Sequence, residues 1–153
     1  MGREIERKFL VRGEGWRDAV TRSRRIRQAY LGLSGKANVR VRIIDDAKAR
    51  LTIKSAEAGM SRAEFEYEIP LADAEAMMEL CTGTTIEKRR YSVPADNGLH
   101  WDIDVFEGRH RGLVLAEIEL PEEGEIGALP EWLGEEVTDD ERFYNAALAR
   151  ETT

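Results

Sequence analysis

Glu4-Ile5-Glu6-Arg7-Lys8-Phe9-Leu10 is the stretch that decides the fold, because charged and apolar residues alternate in it with a period of two. Successive side chains of an extended strand point to opposite faces of the sheet. The two glutamates and the lysine therefore share one face, and the isoleucine and phenylalanine share the other. A solvated sheet face would explain such charges in one isolated strand, so the later strands decide what the pattern means.

Seven further segments alternate in the same way and are predicted to be strands: 26–33, 38–44, 49–55, 62–69, 84–93, 99–106 and 113–120. Nearly every one of them places ionisable residues on one face, namely Arg40 and Arg42, Lys54, Glu64 and Glu66, Lys88 and Arg90, Asp102 or Asp104, and Glu117 and Glu119. A face that meets only solvent would contain more Ser, Thr, Asn and Gln. We therefore interpret the charged face as a functional surface.

The predicted fold class is α+β, an eight-stranded antiparallel sheet with a few helices packed outside it. Turn signals between the strands favour hairpin order, and helices are predicted over 71–81 and, from a capping box at Thr138, over 138–150. Eight antiparallel strands can close into a barrel, which removes unpaired edges. The charged face would line the lumen if the apolar face lay outward, and periodicity alone does not exclude the inverse arrangement.

Length and composition narrow the class of protein. At 153 residues the chain is expected to form one domain, residues 1–153. A net charge of −7 argues against binding of nucleic acid or of an anionic membrane. A single cysteine, no signal-peptide core and no apolar run of roughly 20 residues predict a cytoplasmic protein. The oligomeric state is open, with a homodimer as one option.

The two signs of charge suggest the ligand. Several Arg and Lys side chains that converge from different strands suit phosphate oxygens. Clustered carboxylates supply the hard oxygen ligands that Mg²⁺ or Mn²⁺ prefers, and the sequence has no Cys and His set suited to zinc. Together the two sets predict a metal-bound polyphosphate as a small-molecule ligand.

The residues resemble the CYTH superfamily, the triphosphate tunnel metalloenzymes. Residues 4–8 match the ExExK signature of that family. Its later motifs are matched in order by Arg40-Val41-Arg42, Leu51-Thr52-Ile53-Lys54, Arg62-Ala63-Glu64-Phe65-Glu66, Glu87-Lys88-Arg89-Arg90-Tyr91, Asp102-Ile103-Asp104-Val105-Phe106 and Glu117-Ile118-Glu119. The resemblance implies an eight-stranded tunnel in which a divalent metal assists the hydrolysis of a triphosphate.

The resemblance also implies roles for individual residues. Phosphates would be bound by Lys8, Arg40, Arg42, Lys54, Lys88 and Arg90. Metal would be held by Glu4, Glu6, Glu66, Asp104, Glu117 and Glu119, with Asp102 as the alternative to Asp104. Glu64 or Glu117 would accept the proton of the attacking water, and Tyr30 would lie near a catalytic Lys88.

Several functions remain to be separated. The leading hypothesis is an inorganic triphosphatase. A class IV-type adenylate cyclase, or a thiamine or nucleoside triphosphatase, would use the same scaffold for another reaction. A non-catalytic polyphosphate-binding module and a structural barrel with a solvated charged face complete the alternatives.

Overall fold

The computed structural model describes residues 2–34, 36–55, 61–121 and 126–150. It has nine strands: β1 Gly2–Val11, β2 Arg22–Ser34, β3 Ala37–Ile44, β4 Lys48–Ser55, β5 Ser61–Ile69, β6 Thr82–Pro94, β7 His100–Glu107, β8 Val114–Leu120 and β9 Leu133–Glu136. The helices are α1 Leu71–Leu80 and α2 Asn145–Arg150, and short 3-10 turns cover 15–19, 96–98, 108–110 and 141–143. The predicted α+β class is confirmed.

All nine strands belong to one antiparallel sheet in the order β5-β4-β3-β2-β6-β7-β8-β1-β9. An additional pairing joins β5 to β1, with Ile5 opposite Ser61. The eight predicted strands are all present, but the sheet contains a ninth, β9, and the predicted closed eight-stranded barrel is not confirmed. This strand has four residues, Leu-Gly-Glu-Glu, which are too few and too polar to show a period of two. It is recognisable only by its pairing with Phe9 and Val11 of β1.

The apolar faces of the strands pack away from the charged face. Phe9, Ile103 and Ile118 are at most 3% exposed and form one cluster that also includes Leu133. A second cluster lies beneath α1, where Ala74 is fully buried together with side chains of β3 and β4. Burial of such side chains stabilises the fold by roughly 1.5–3 kcal/mol each. The charged side of the sheet lines a cavity, and its apolar side forms clusters of buried side chains, one of them with α1.

The C-terminal segment departs from the predicted helix over 138–150. Thr138 is buried and does not cap a helix: its hydroxyl accepts a hydrogen bond from the Lys8 amide at 3.1 Å and donates one to Glu136 Oε2. The cap lies instead at Asp140, whose carboxylate accepts from the Arg142 amide and begins a 3-10 turn. Helix α2 then begins at Asn145, seven residues after the predicted capping threonine.

The sequence predicts helices outside the sheet but leaves open whether the last helix covers one end of the charged face. Helix α2 does not pack outside. Leu148 and Ala149 are buried against Ile86, Phe106 and Leu115. By strand alternation these three lie on the same faces as the charged residues of β6, β7 and β8. The chain therefore turns back and covers one end of its own charged face, whereas α1 packs outside as expected.

Neither helix in the ranges described above is long and apolar enough to cross a membrane.

Candidate functional site

The charged faces of eight strands surround a cavity of about 260 Å³. Among the described residues, the cations that line it are Lys8, Arg24, Arg40, Arg42, Arg50, Lys54 and Arg90. The carboxylates are Glu6, Glu64, Glu66, Asp102, Glu117 and Glu119, and the other polar residues are Tyr30, Asn38, Thr52, His100, Tyr144 and Asn145. Strand alternation thus brings most of the predicted site residues together.

One wall of the cavity, formed by β2, β3 and β6, is basic. Arg24 lies directly opposite Arg90 across the β2–β6 ladder, and β3 contributes Arg40 and Arg42. Burial, with the charges of Arg40 and Arg90, lowers the pKa of Arg42 to about 9. The Nε atoms of Arg24 and Arg40 are buried and have no hydrogen-bond partner among the residues described. Buried guanidinium donors without a partner are costly, and phosphate oxygens are acceptors that fit them.

A second wall, formed by β7, β8 and β1, is mainly acidic. Glu6 lies directly opposite Glu119, and Glu117 lies opposite Asp102 on one side and Lys8 on the other. Like charges in directly opposed positions destabilise a sheet. Asp102 Oδ1 is also buried without a hydrogen-bond partner in the described residues. A cation between these carboxylates would relieve both costs.

Strands β4 and β5 contribute paired charges to the remaining wall. Lys54 Nζ lies 3.4 Å from Glu64 Oε2, and Arg50 Nη1 lies 3.1 Å from Glu66 Oε1. The Thr52 hydroxyl donates to the other oxygen of Glu66 at 3.1 Å. Burial opposes ionisation of Glu66, but this hydrogen bond and the charge of Arg50 outweigh it and lower the pKa of the carboxyl.

Lys88 and Asp104 lie behind the cavity wall and do not line it. Lys88 is 0% and Asp104 2% exposed, and Lys88 Nζ lies 2.7 Å from Asp104 Oδ2. Arg90 donates to both oxygens of the same carboxylate, at 2.7 and 2.9 Å. Burial lowers the pKa of Lys88 to about 7. Burial opposes ionisation of Asp104, but Arg90 and Lys88 together hold its pKa well below the usual range.

The placement of the predicted site residues therefore differs from residue to residue. Eleven of them line the cavity: Glu6, Lys8, Tyr30, Arg40, Arg42, Lys54, Glu64, Glu66, Arg90, Glu117 and Glu119. The backbone of Glu4 belongs to β1, but its side chain lies outside the described residues. Of the two aspartates left open by the sequence, Asp102 lines the cavity.

Sequence reasoning missed several residues of the cavity wall. Arg24 precedes the strand predicted over 26–33, but β2 begins at Arg22, and alternation with Gln28 and Tyr30 places Arg24 on the charged face. Arg50 follows from the same rule, since it alternates with Thr52 and Lys54. No periodic signal marks Tyr144 or Asn145, because they reach the cavity only through the turn that precedes α2.

The carboxylate oxygens of the acidic wall are the type of ligand that binds a divalent metal. In the part of the chain that the structure describes, no three His, Cys, Asp or Glu side chains lie close enough together to hold an ion by themselves. Mg²⁺ characteristically uses one or two carboxylates and completes its shell with water and substrate phosphate oxygens. The carboxylates of Glu6, Glu119 and Asp102, all of which line the cavity, are oxygen donors of that kind.

Comparisons with known proteins agree with this geometry. The model of the CYTH domain matches residues 2–144. The inorganic triphosphatase of Acetivibrio thermocellus is 42% identical over 151 residues, which cover 98% of this chain and 95% of that protein. The inorganic triphosphatase of Nitrosomonas europaea is 35% identical over 148 residues, 95% of this chain and 96% of that protein. A crystal structure of an inorganic triphosphatase superposes with a TM-score of 0.72 at 34% identity and covers 97% of this chain and 95% of that one.

Proposed function

Because this chain belongs to the CYTH domain family, we propose that it is a metal-dependent hydrolase of inorganic triphosphate. The observation that carries the proposal is a single cavity with a basic wall of arginines facing an acidic wall of carboxylates. A metal-bound polyphosphate satisfies both walls at once, because its oxygens bind the arginines and its cation binds the carboxylates. The names of the two related proteins support tripolyphosphate as the substrate.

The proposal includes a tunnel that is closed around the substrate. The pairing of β5 with β1, which are otherwise separated in the sheet order, supports closure by eight of the nine strands. Closure would surround the phosphates with charged side chains and exclude bulk water, which strengthens each electrostatic contact. We further propose that residues 1–153 form one domain around this tunnel.

Phosphate binding is assigned to Lys8, Arg40, Arg42, Lys54 and Arg90. Arg40 lines the cavity, and its guanidinium would donate to a phosphate oxygen. Arginine binds phosphate in a bidentate manner, whereas Lys8 and Lys54 act as point charges. Lys88 lies behind Arg90 and shares Asp104 with it, so its role is to set the charge and position of that arginine.

Metal binding is assigned to the acidic wall, with Mg²⁺ or Mn²⁺ as the ion. The ligands would be Glu6, Glu117 and Glu119, joined by Asp102 in place of Asp104 and, from the sequence pattern, by Glu4. Glu66 is a weaker candidate because Arg50 and Thr52 already occupy its oxygens. When bound, such an ion would neutralise phosphate charge and acidify a water molecule.

Two carboxylates that line the cavity, each beside a lysine, are the candidates for accepting the proton. Glu117 Oε1 lies 3.7 Å from Lys8 Nζ, and Glu64 Oε2 lies 3.4 Å from Lys54 Nζ. Either carboxylate could accept a proton from water that attacks a terminal phosphoryl group in line, while the arginines stabilise charge on its oxygens. Tyr30, which is 5% exposed, lines the basic wall and would orient a phosphate oxygen.

The experiment that tests the proposal measures phosphate release from tripolyphosphate, ATP and thiamine triphosphate with Mg²⁺ or Mn²⁺. Wild-type protein is expected to turn over tripolyphosphate fastest and to lose turnover with EDTA. Glu117→Gln should lower kcat about 100-fold or more, the usual contribution of a general base or metal ligand. Glu131→Gln, an exposed carboxylate remote from the cavity, serves as the matched control.

The other functions give different results in the same experiment. Cyclic AMP as the main product from ATP would contradict the proposal in favour of a cyclase. Stabilisation without turnover would indicate a binding module, since ligand at 100 times its Kd raises the free energy of unfolding by about 2.7 kcal/mol. If tripolyphosphate with any metal is neither hydrolysed nor stabilises the protein, the result would favour a structural barrel.

A further inference from the structure

Asn145, the first residue of α2, lies at the end of the cavity that this helix covers. Its side-chain oxygen Oδ1 accepts two hydrogen bonds, from Lys88 Nζ and from Gln28 Nε2, each at 3.1 Å. Asn145 lies one residue beyond the part of the chain that the family model matches, residues 2–144.

Two obligate donors fix how the amide of Asn145 is turned. A lysine ammonium can only donate, so the atom that it contacts must be the oxygen. Gln28 is fixed in the same way, because its Oε1 accepts from Arg42 Nε at 2.7 Å and its Nε2 must therefore face Asn145. Both contacts give one orientation of the Asn145 amide, in which Nδ2 points away from Lys88 and Gln28.

The amide nitrogen Nδ2 of Asn145 has no acceptor among the residues that the structure describes, although its residue lines the cavity. The segment that carries it is held in place. Leu148 and Ala149 are buried, the Leu148 amide donates to the Tyr144 carbonyl at 3.0 Å, and the Phe143 carbonyl accepts from Lys8 Nζ at 3.2 Å. The side chain that carries this donor is thus preorganised and lines the cavity where an anion would bind.

We propose that Asn145 binds the polyphosphate directly, by donating an Nδ2 hydrogen to a phosphate oxygen at the end of the cavity covered by α2. The inference rests on the proposed function and adds to it a binding residue on the C-terminal helix. A neutral donor suits this position, because Arg42, Lys88 and Arg90 already concentrate positive charge there. A carboxylate in its place would keep the acceptor for Lys88 and Gln28 but repel the phosphate.

The test compares Asn145→Ala with Asn145→Asp. Affinity for tripolyphosphate is measured by calorimetry in EDTA, and kcat and KM are measured with Mg²⁺. Asn145→Ala should weaken binding about tenfold or more, the loss expected for one hydrogen bond to a charged acceptor. Asn145→Asp should weaken it further, because it replaces a donor by a negative charge. Leu148→Ala loosens the same helix without altering the amide, so it should lower Tm and change affinity less than Asn145→Ala does.

Two results would overturn the proposal. Affinity of Asn145→Asp equal to or above that of Asn145→Ala would show that only the oxygen matters, in a purely positioning role. Equal effects of Asn145→Ala and Leu148→Ala would show that helix docking alone is responsible. If Asn145→Ala fails to fold, Asn145→Ser replaces it, because serine also removes Nδ2.

Failure of the proposed function gives a separate signature. A wild-type protein that binds tripolyphosphate without turnover would refute the hydrolase and leave the affinity comparison to decide the role of Asn145. A wild-type protein that does not bind tripolyphosphate would refute both.

Discussion

At the scale of single residues, Asp102 and Asp104 show how two carboxylates on the same strand face can have different chemistry. Asp104 is 2% exposed and is neutralised by Lys88 and Arg90. Asp102 has a side chain that is 25% exposed. Its Oδ1 lies 3.7 Å from Arg24 and 3.4 Å from His100, its Oδ2 lies 3.7 Å from Arg90, and Oδ1 accepts no hydrogen bond from the described residues. The first carboxylate is held by short hydrogen bonds, whereas the second has only longer contacts that a ligand could replace.

Substitution of each aspartate by asparagine should separate these roles. Asp104→Asn leaves a buried lysine and arginine without their anion and should lower the free energy of unfolding by about 3–5 kcal/mol. Asp102→Asn should change stability by less than about 1 kcal/mol and instead weaken the dependence of turnover on metal concentration. Urea unfolding and metal titration of both variants measure this, and equal destabilisation would contradict it.

Lys88 should make stability depend on pH. Burial lowers its folded pKa from 10.5 to about 7, so between these values the unfolded chain binds more protons than the folded one. Stability should therefore rise with pH over this window, with a slope of up to about 1.4 kcal/mol per pH unit.

The measurement compares the unfolding free energies of wild type and Lys88→Met from pH 6.5 to 9. The free energy of unfolding of the wild type should increase relative to that of Lys88→Met as the pH rises. Lys48→Met, at an exposed position on β4, controls for the loss of a surface lysine. A constant difference between wild type and Lys88→Met would contradict the prediction.

At the scale of elements, the short strand β9 links the acidic wall to the C-terminal segment. It pairs with the end of β1, and the next amide, of Val137, donates to the Lys8 carbonyl at 2.8 Å. Thr138 then binds the Lys8 amide. These bonds set the direction in which the chain enters the turn before α2, so β9 determines where Asn145 lies.

Gly134 of β9 should be intolerant of a side chain. A Cβ at this position would lie 3.0 Å from the Leu10 carbonyl oxygen and 3.2 Å from its carbon, both backbone atoms. Gly134→Ala should therefore cost about 1–3 kcal/mol of stability by displacing β9.

Gly32→Ala provides the control within the same sheet, because a Cβ there would meet no atom within 4 Å. It should leave the unfolding free energy unchanged or slightly higher, since alanine restricts the unfolded chain. Thermal and urea unfolding of both variants test the contrast. Equal stability of the two would show that β9 can shift without cost.

At the scale of the whole molecule, the distribution of charge matters more than its total. The net charge is −7, yet the described cavity lining holds seven Lys or Arg side chains against six Asp or Glu. The signs are partly separated: β2, β3 and β6 contribute arginines, β7, β8 and β1 contribute mainly carboxylates, and β4 and β5 contribute paired charges. The overall charge argues against partners such as nucleic acid in general terms, whereas this partial separation suits the proposed ligand, a polyanion that carries a cation.

Much of this arrangement could be predicted because alternation is a local property of a strand. The side chains of Glu6, Arg40 and Glu117 point to the charged face whatever the rest of the chain does. The class of fold, the positions of eight strands and most of the cavity lining follow from that rule. The position of Arg24 follows from it as well.

The sequence by itself determined which residues share a face; only the tertiary structure decided how deep each lies and what covers it. Lys88 and Arg90 are equivalent in the pattern, but one lies behind the wall and the other on it. The ninth strand and the inward course of α2 were also decided by the tertiary structure. The physical reason is that depth and cover depend on strand register and on contacts more than 100 residues apart, such as that between Lys8 and Thr138, which no local period encodes.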